Sequence, residues 1–131
     1  MKNPKIYTQG WNQENKVGGG WTWSRNFRKC FADQIVDTPE ECDIYFITSV
    51  SMLSKLSEIP LDKKIVLRVD NVLKKSCNSD IYPFDGDKVT RMEAMKLVAD
   101  RADLIIYQST WAKSFLVDYI EKKKKSKIIL N

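Results

Sequence analysis

Five short apolar runs separated by helical patterns constrain this chain more than any other feature. They are Ile6-Tyr7, Ile44 to Ile47, Ile65 to Leu67, Leu104 to Tyr107 and Ile128 to Leu130. Small or polar residues follow each run: Thr8 to Gly10, Thr48-Ser49, Arg68 to Asn71, Gln108 to Thr110, and Asn131. Strands alternating with helices imply an α/β fold built on an open parallel sheet of about five strands. Right-handed crossovers then place helices on both faces. Ligands of such sheets bind just beyond the carboxyl ends of the strands, so these polar residues define the edge to inspect.

The expected strands are Lys5 to Gln9, Cys42 to Thr48, Lys63 to Val69, Asp103 to Gln108 and Lys127 to Leu130. Between the first two, Gly18-Gly19-Gly20 opens a helix whose Trp23, Phe27, Cys30 and Phe31 share one face. A short helix over Val50 to Leu56 is expected, with Val50, Leu53 and Leu56 on one side. Asn71 to Asp87 is the least regular stretch, and Asp87 is a candidate cap for a helix carrying Val89, Met92, Met95, Ala99 and Ala102. Trp111, Phe115, Tyr119 and Ile120 mark a last amphipathic helix opened by Ser109 or Thr110.

At 131 residues the chain is one domain by length, spanning 1–131. It has no histidine, which excludes a Ser-His triad, imidazole acid–base chemistry and His-ligated zinc within it. The three cysteines, Cys30, Cys42 and Cys77, lack metal spacing and read as reduced and structural, with Cys30 and Cys42 near core elements. No metal or cofactor is expected. No apolar run approaches the roughly 20 residues of a membrane span, and Met1 to Lys5 does not resemble a secretory signal. The chain therefore reads as cytoplasmic. The net charge of +5 concentrates in Lys122, Lys123, Lys124, Lys125 and Lys127. That tract suits the solvated end of a helix, or peripheral contact with an anionic membrane at about 1 kcal/mol per lysine. No nucleic-acid reader motif accompanies it.

Three places carry candidate chemistry. Gly18, Gly19 and Gly20 allow close approach of backbone N–H groups to a phosphate at a helix N-terminus, although neither G-x-G-x-x-G nor G-x-x-x-x-G-K-[ST] is present. Arg68, Asp70 and Asn71 close the third strand. Alternation puts Arg68 and Asp70 on the same side, as a structural ion pair or as a pair for sugar hydroxyls or phosphate. Gln108, Ser109 and Thr110 close the fourth strand, where capping and ligand binding are compatible. Trp23 reads as core, and Trp21 as an aromatic at the cleft edge able to stack on a sugar or base.

With these pieces assembled, the chain resembles the N-terminal domain of a GT-B fold glycosyltransferase of the family 4 type. The likeness rests on four segments: the triple glycine opening the first helix, "IVLRVDN" at Ile65 to Asn71, "ADLIIYQSTWAKSFL" at Ala102 to Leu116, and "KIILN" at Lys127 to Asn131. Asn71 stands where glycine is common in the family, and the histidine that many relatives use is lacking. The resemblance implies a Rossmann-like domain forming the acceptor-side half of a two-domain enzyme. A C-terminal donor domain is absent from this chain. It implies transfer of a sugar from a nucleotide-sugar donor to a glycan, lipid-linked or protein acceptor, retaining and metal-free. Gly18 to Gly20 would bind the donor phosphates. Trp21, Arg68, Asp70, Asn71, Gln108 and Ser109 would contact acceptor or transferred sugar, with Arg68 and Asp70 as the catalytic candidates. The isolated chain is expected to fold without turning over.

Two other classes fit parts of the pattern. One is a non-catalytic glycan- or protein-binding module on the same fold. The other is a receiver-like signalling domain with Asp70 as phosphoacceptor and Ser109 or Thr110 beyond the fourth strand. The receiver reading lacks an acidic pair after the first strand, which ends in Thr8-Gln9-Gly10.

Overall fold

The computed structural model describes residues 3–9, 19–50, 53, 55–69, 81–84, 87–116 and 125–129. In chain order these form β1 (Ile6–Thr8), α1 (Gly19–Cys30), β2 (Ile44–Ile47), β3 (Lys64–Val69), β4 (Ile81–Phe84), β5 (Asp87–Thr90), α2 (Arg91–Arg101), β6 (Leu104–Tyr107), α3 (Thr110–Leu116) and β7 (Lys125–Ile128). Single 3₁₀ turns lie at Pro39–Glu41 and Leu56–Glu58. The first four apolar runs become β1, β2, β3 and β6, and the fifth strand, β7, starts earlier than the expected Lys127 to Leu130 and takes only Ile128 from its apolar run; the parallel order is β1-β2-β3-β6-β7, while β4 and β5 pair as a separate antiparallel hairpin. The α/β class with a parallel sheet thus follows from the alternating pattern.

The pairing register sorts the side chains onto two faces, because neighbours in register point the same way. Tyr7, Tyr45 and Ile65 form one row, Ile47, Leu67 and Ile105 the next, and Val69 pairs with Tyr107. This face packs against Ala94, Met95, Val98 and Ala99 of α2 and against Val50, Leu53 and Ile59. Small alanines let α2 approach the sheet closely. Ile47 and Leu67 are wholly buried, each contributing about 1.5–3 kcal/mol by transfer from water.

The opposite face carries Thr8, Phe46, Val66 and Arg68, and α1 covers it. Trp23 and Phe27, four residues apart on the helix, both stack on Phe46, at centroid distances of 5.3 and 4.9 Å. Phe27 continues the column to Phe31 at 4.7 Å. Arg28 and Lys29 in the last turn of α1 suit its negative end.

The backbone shows where the chain changes direction. Ile6 donates to the Gln34 carbonyl at 2.8 Å and accepts from the Val36 N–H at 3.0 Å. Its neighbour Lys5 accepts from Asp43 and Ile44 at 2.8 and 3.0 Å. Alternate residues of a strand face opposite neighbours, so the Ile35 bridge lies on the edge of β1 away from β2. The crossover through α1 therefore runs one way from β1, and the crossover through α2 runs the other way from β3 to β6. Helices on opposite faces give both crossovers the same hand, which is the right-handed one by the general rule. Direction reverses between β1 and β2.

Two aspartates hold the amino edge together by the same device. The Lys5 N–H donates to Asp43 Oδ2 at 2.8 Å while the Asp43 N–H returns to the Lys5 carbonyl at 2.8 Å. Ile65 and Asp103 repeat it, with both bonds at 2.8 Å. Each aspartate immediately precedes a strand and locks it to its neighbour.

Several expectations need correction. The stretch from Asn71 to Asp87 is not simply irregular, since β4 and the start of β5 lie in it or at its end. Asp85-Gly86 separates the two strands, and such a dipeptide is a strong hairpin signal. Asp87 and Val89 consequently belong to β5 rather than to the cap and face of α2. Val50 and Leu53 are buried as expected and a 3₁₀ turn lies at Leu56–Glu58, while residues 51, 52 and 54 of the expected short helix lie outside the described residues. Cys30 is exposed, because Trp23, Ser24 and Phe27 already occupy the sheet-facing side of α1. Trp111 is 59% exposed rather than buried on an amphipathic face. Lys125 opens β7 and is not the end of a helix. Lys122 to Lys124, Cys77, Tyr119 and Ile120 lie outside the described residues.

Candidate functional site at the carboxyl edge of the sheet

The reversal between β1 and β2 opens the site. In open α/β sheets a crevice forms beyond the carboxyl ends of the strands at such a point. Thr8 and Gln9 end β1, Thr48 and Ser49 end β2, and all four are buried. α1 descends from this edge.

A chain of hydroxyls pins α1 to the two strands. Thr48 Oγ1 lies 3.0 Å from Thr8 Oγ1 and 2.8 Å from Ser24 Oγ. All three residues have no exposed surface. These hydroxyls satisfy one another, as buried polar groups must, so their role is to fix the height of α1 above the strand ends. Gln9 behaves differently. Its side chain shares a hydrogen bond with the Tyr45 hydroxyl, yet its buried Oε1 has no partner.

Arg68 supplies the charge. It is 6% exposed. Its Nη1 donates to the Thr48 carbonyl at 3.2 Å, and its Cζ sits 4.6 Å from the centre of the Trp23 ring. A guanidinium is thereby held at the carboxyl edge and against the second turn of α1. That helix begins with Gly19-Gly20 and has no acidic residue in its first turn, so its own side chains leave the positive end of the dipole unneutralised.

Of the sequence-derived candidates, Gly19, Gly20 and Trp21 lie in the first turn of α1, and Arg68 lies against Trp23 in its second turn. Gln108 and Ser109 follow β6 directly and are half-buried. The Ser109 carbonyl accepts from the Lys113 N–H at 3.1 Å, which places Ser109 at the cap of α3. Gly18, Asp70 and Asn71 lie outside the described residues. Sequence reasoning missed Ser24 and the roles of Thr48 and Trp23. A serine between two aromatics on a helix whose neighbours face a sheet was the available signal.

Burial pushes the Tyr45 hydroxyl up, with Tyr7 and Glu58 adding to the effect. Burial also raises Tyr7, Tyr107 and the Cys42 thiol. Among the described residues there is no group of three or more His, Cys, Asp or Glu able to hold a metal ion. None of the described helices is long and apolar enough to cross a membrane. A polar cavity of about 400 Å³ lies at the opposite, amino edge and includes Asp43, Asp103 and Lys63 in its lining. Its Asp43 and Asp103 are engaged in the strand-locking bonds. No protein-family model matches the chain, and no curated protein or solved structure matches it.

Proposed function

We propose that this chain is the acceptor-side, Rossmann-like half of a GT-B type sugar-transfer site, working with a donor-binding domain outside it. The observation that carries the reading is the placement of the buried Arg68 against Trp23, in the second turn of the helix that Gly19-Gly20 open, at the switch point. Arg68 and the helix start both favour an anion, and a donor diphosphate supplies one. The N–H groups of the Gly18 to Gly20 segment and the Arg68 guanidinium would stabilise charge on the departing nucleotide. Asp70, Asn71, Gln108, Ser109 and Trp21 would contact the acceptor or the transferred sugar. Transfer would be retaining and metal-free, and the enzyme cytoplasmic. Lys122 to Lys125 would hold it near an anionic membrane bearing a lipid-linked acceptor.

Thr8 and Gln9 stand where a phosphoacceptor signalling domain would need an acidic pair for Mg²⁺, which disfavours that reading. Calorimetric titration with UDP-glucose and GDP-mannose tests the proposal. Binding that Gly19→Val abolishes is the expected result. Absence of binding by both, or binding untouched in the Gly19→Val variant, contradicts it.

A further inference from the structure

We propose that the carboxamide of Gln9 is the hydrogen-bonding partner of a sugar hydroxyl at the carboxyl edge. The inference deepens the sugar-transfer reading and rests on it only for the kind of ligand. Gln9 is the first residue beyond β1, at the switch point, and is 6% exposed. One end of its amide is bonded to the Tyr45 hydroxyl, while the buried Oε1 has no partner. Among the described residues it is the one buried side-chain oxygen or nitrogen in that position. The neighbouring hydroxyls of Thr8, Ser24 and Thr48 satisfy one another.

Strand geometry puts this amide on the β1 wall of the crevice. Gln9 follows Tyr7 by two residues, so it lies on the side of the sheet that carries Tyr7 and Tyr45, opposite Thr8 and α1. A buried polar atom left unmatched costs stability, and the rest of this edge avoids that cost. The amide is therefore better explained by a group from outside the chain than by packing. Turning the amide over does not alter the conclusion, since Tyr45 serves one end and the other is left over. The complementary group must answer an acceptor in one orientation and a donor in the other. A hydroxyl does both, whereas an ionised phosphate oxygen cannot answer an acceptor. A nucleobase offers an N–H but is held by stacking on a ring, and the rings beside Gln9, Tyr7 and Tyr45, already stack on each other at 5.3 Å. A sugar hydroxyl fits. The last torsion of a glutamine is soft, so the amide turns towards an arriving hydroxyl while its other end keeps Tyr45.

The test follows the Gln9 side-chain amide protons by NMR, and pairs them with affinity and stability in Gln9→Met/Tyr45→Phe. That double variant removes both polar partners at nearly constant shape. UDP-glucose or GDP-mannose should shift the Gln9 amide signals, and UDP or GDP alone should not. The double variant should bind the nucleotide sugar about five- to tenfold more weakly and the bare nucleotide as the wild type does. Its urea midpoint should equal or exceed that of the wild type, since an uncompensated polar atom is removed with its neighbour. Gln9 signals that the bare nucleotide moves as much as the nucleotide sugar overturn the proposal, as do signals that a bound nucleotide sugar leaves unmoved. So does a double variant that is less stable yet binds the nucleotide sugar normally, the outcome for a purely structural amide. If the wild type binds neither nucleotide sugar, the sugar-transfer reading fails, and titration with methyl α-glucoside and methyl α-mannoside decides the hydroxyl site. Shifted Gln9 signals then support it, and unmoved signals overturn it.

Discussion

Thr48→Val should destabilise the fold more than Thr48→Ser, and the ordering matters as much as the size. Valine keeps the volume of threonine, so it opens no cavity in a site with no exposed surface. It deletes the oxygen that lies 3.0 Å from Thr8 Oγ1 and 2.8 Å from Ser24 Oγ. Each lost bond costs about 1 kcal/mol net, and each hydroxyl stranded in the interior about 1–3 kcal/mol. Local rearrangement lets Thr8 or Ser24 find a backbone acceptor, so a total of roughly 2–4 kcal/mol is expected, from a stability of about 5–15 kcal/mol. For a domain of this size the melting temperature should drop by on the order of 10 °C. Serine keeps both bonds and loses one methyl group, costing about 1 kcal/mol. Urea unfolding followed by far-ultraviolet circular dichroism gives both values. Adding Ser24→Ala to Thr48→Val should cost little or restore stability, because it removes a stranded hydroxyl. If valine proves milder than serine, packing rather than the hydroxyl chain holds α1, and the argument for a fixed frame at the switch point fails.

Other outcomes follow from the same structure. Leu67→Ala, at a position with no exposed surface in the central strand, should cost about 3–5 kcal/mol in urea unfolding. Asp103→Ala should cost about 1.5–3 kcal/mol, because a charged acceptor is removed from the Ile65 N–H. Asp43→Ala should behave similarly, and the two should add, since the clamps share no partner. Tyr45, Tyr7 and Tyr107 are all held protonated above the ordinary tyrosine value, chiefly by burial. Their contribution is fully present below the unfolded value of about 10 and is lost as pH rises towards the raised folded values. The urea midpoint should therefore fall above about pH 10, and Tyr45→Phe should flatten that decline.

β1, β2, β3 and β6 were legible because each is a short apolar run, and Tyr45, Phe46 and Ile47 are indeed buried on both faces of the sheet. The face of α1 was legible through Trp23 and Phe27 at helical spacing. The reversal of chain direction was not, because it depends on a single bridge at Ile35, and the pair Ile35-Val36 runs straight into the turn residues Asp37-Thr38-Pro39. The hairpin left a trace in Asp85-Gly86, but its flanking strands carry Pro83 and Asp87, which blur the alternation. At the site, Arg68 and the glycines stood out by residue type. The hydroxyl chain did not, since Thr8, Ser24 and Thr48 are ordinary residues that become informative only when brought within 3.0 Å of one another. Trp23 was legible as core, but its contact with Arg68 comes from the pairing of β2 with β3 under α1.

The central claim is that an anionic sugar donor is received at the carboxyl edge between β1 and β2. Backbone amide shifts during titration of the isotope-labelled protein with UDP-glucose and GDP-mannose test it most directly. The predicted result is a set of saturable changes at Gly20 to Ser24, Thr48, Ser49 and Arg68, absent in Arg68→Met. Changes confined to Asp43, Lys63 and Asp103 at the opposite edge, or no saturable change at all, would contradict the account.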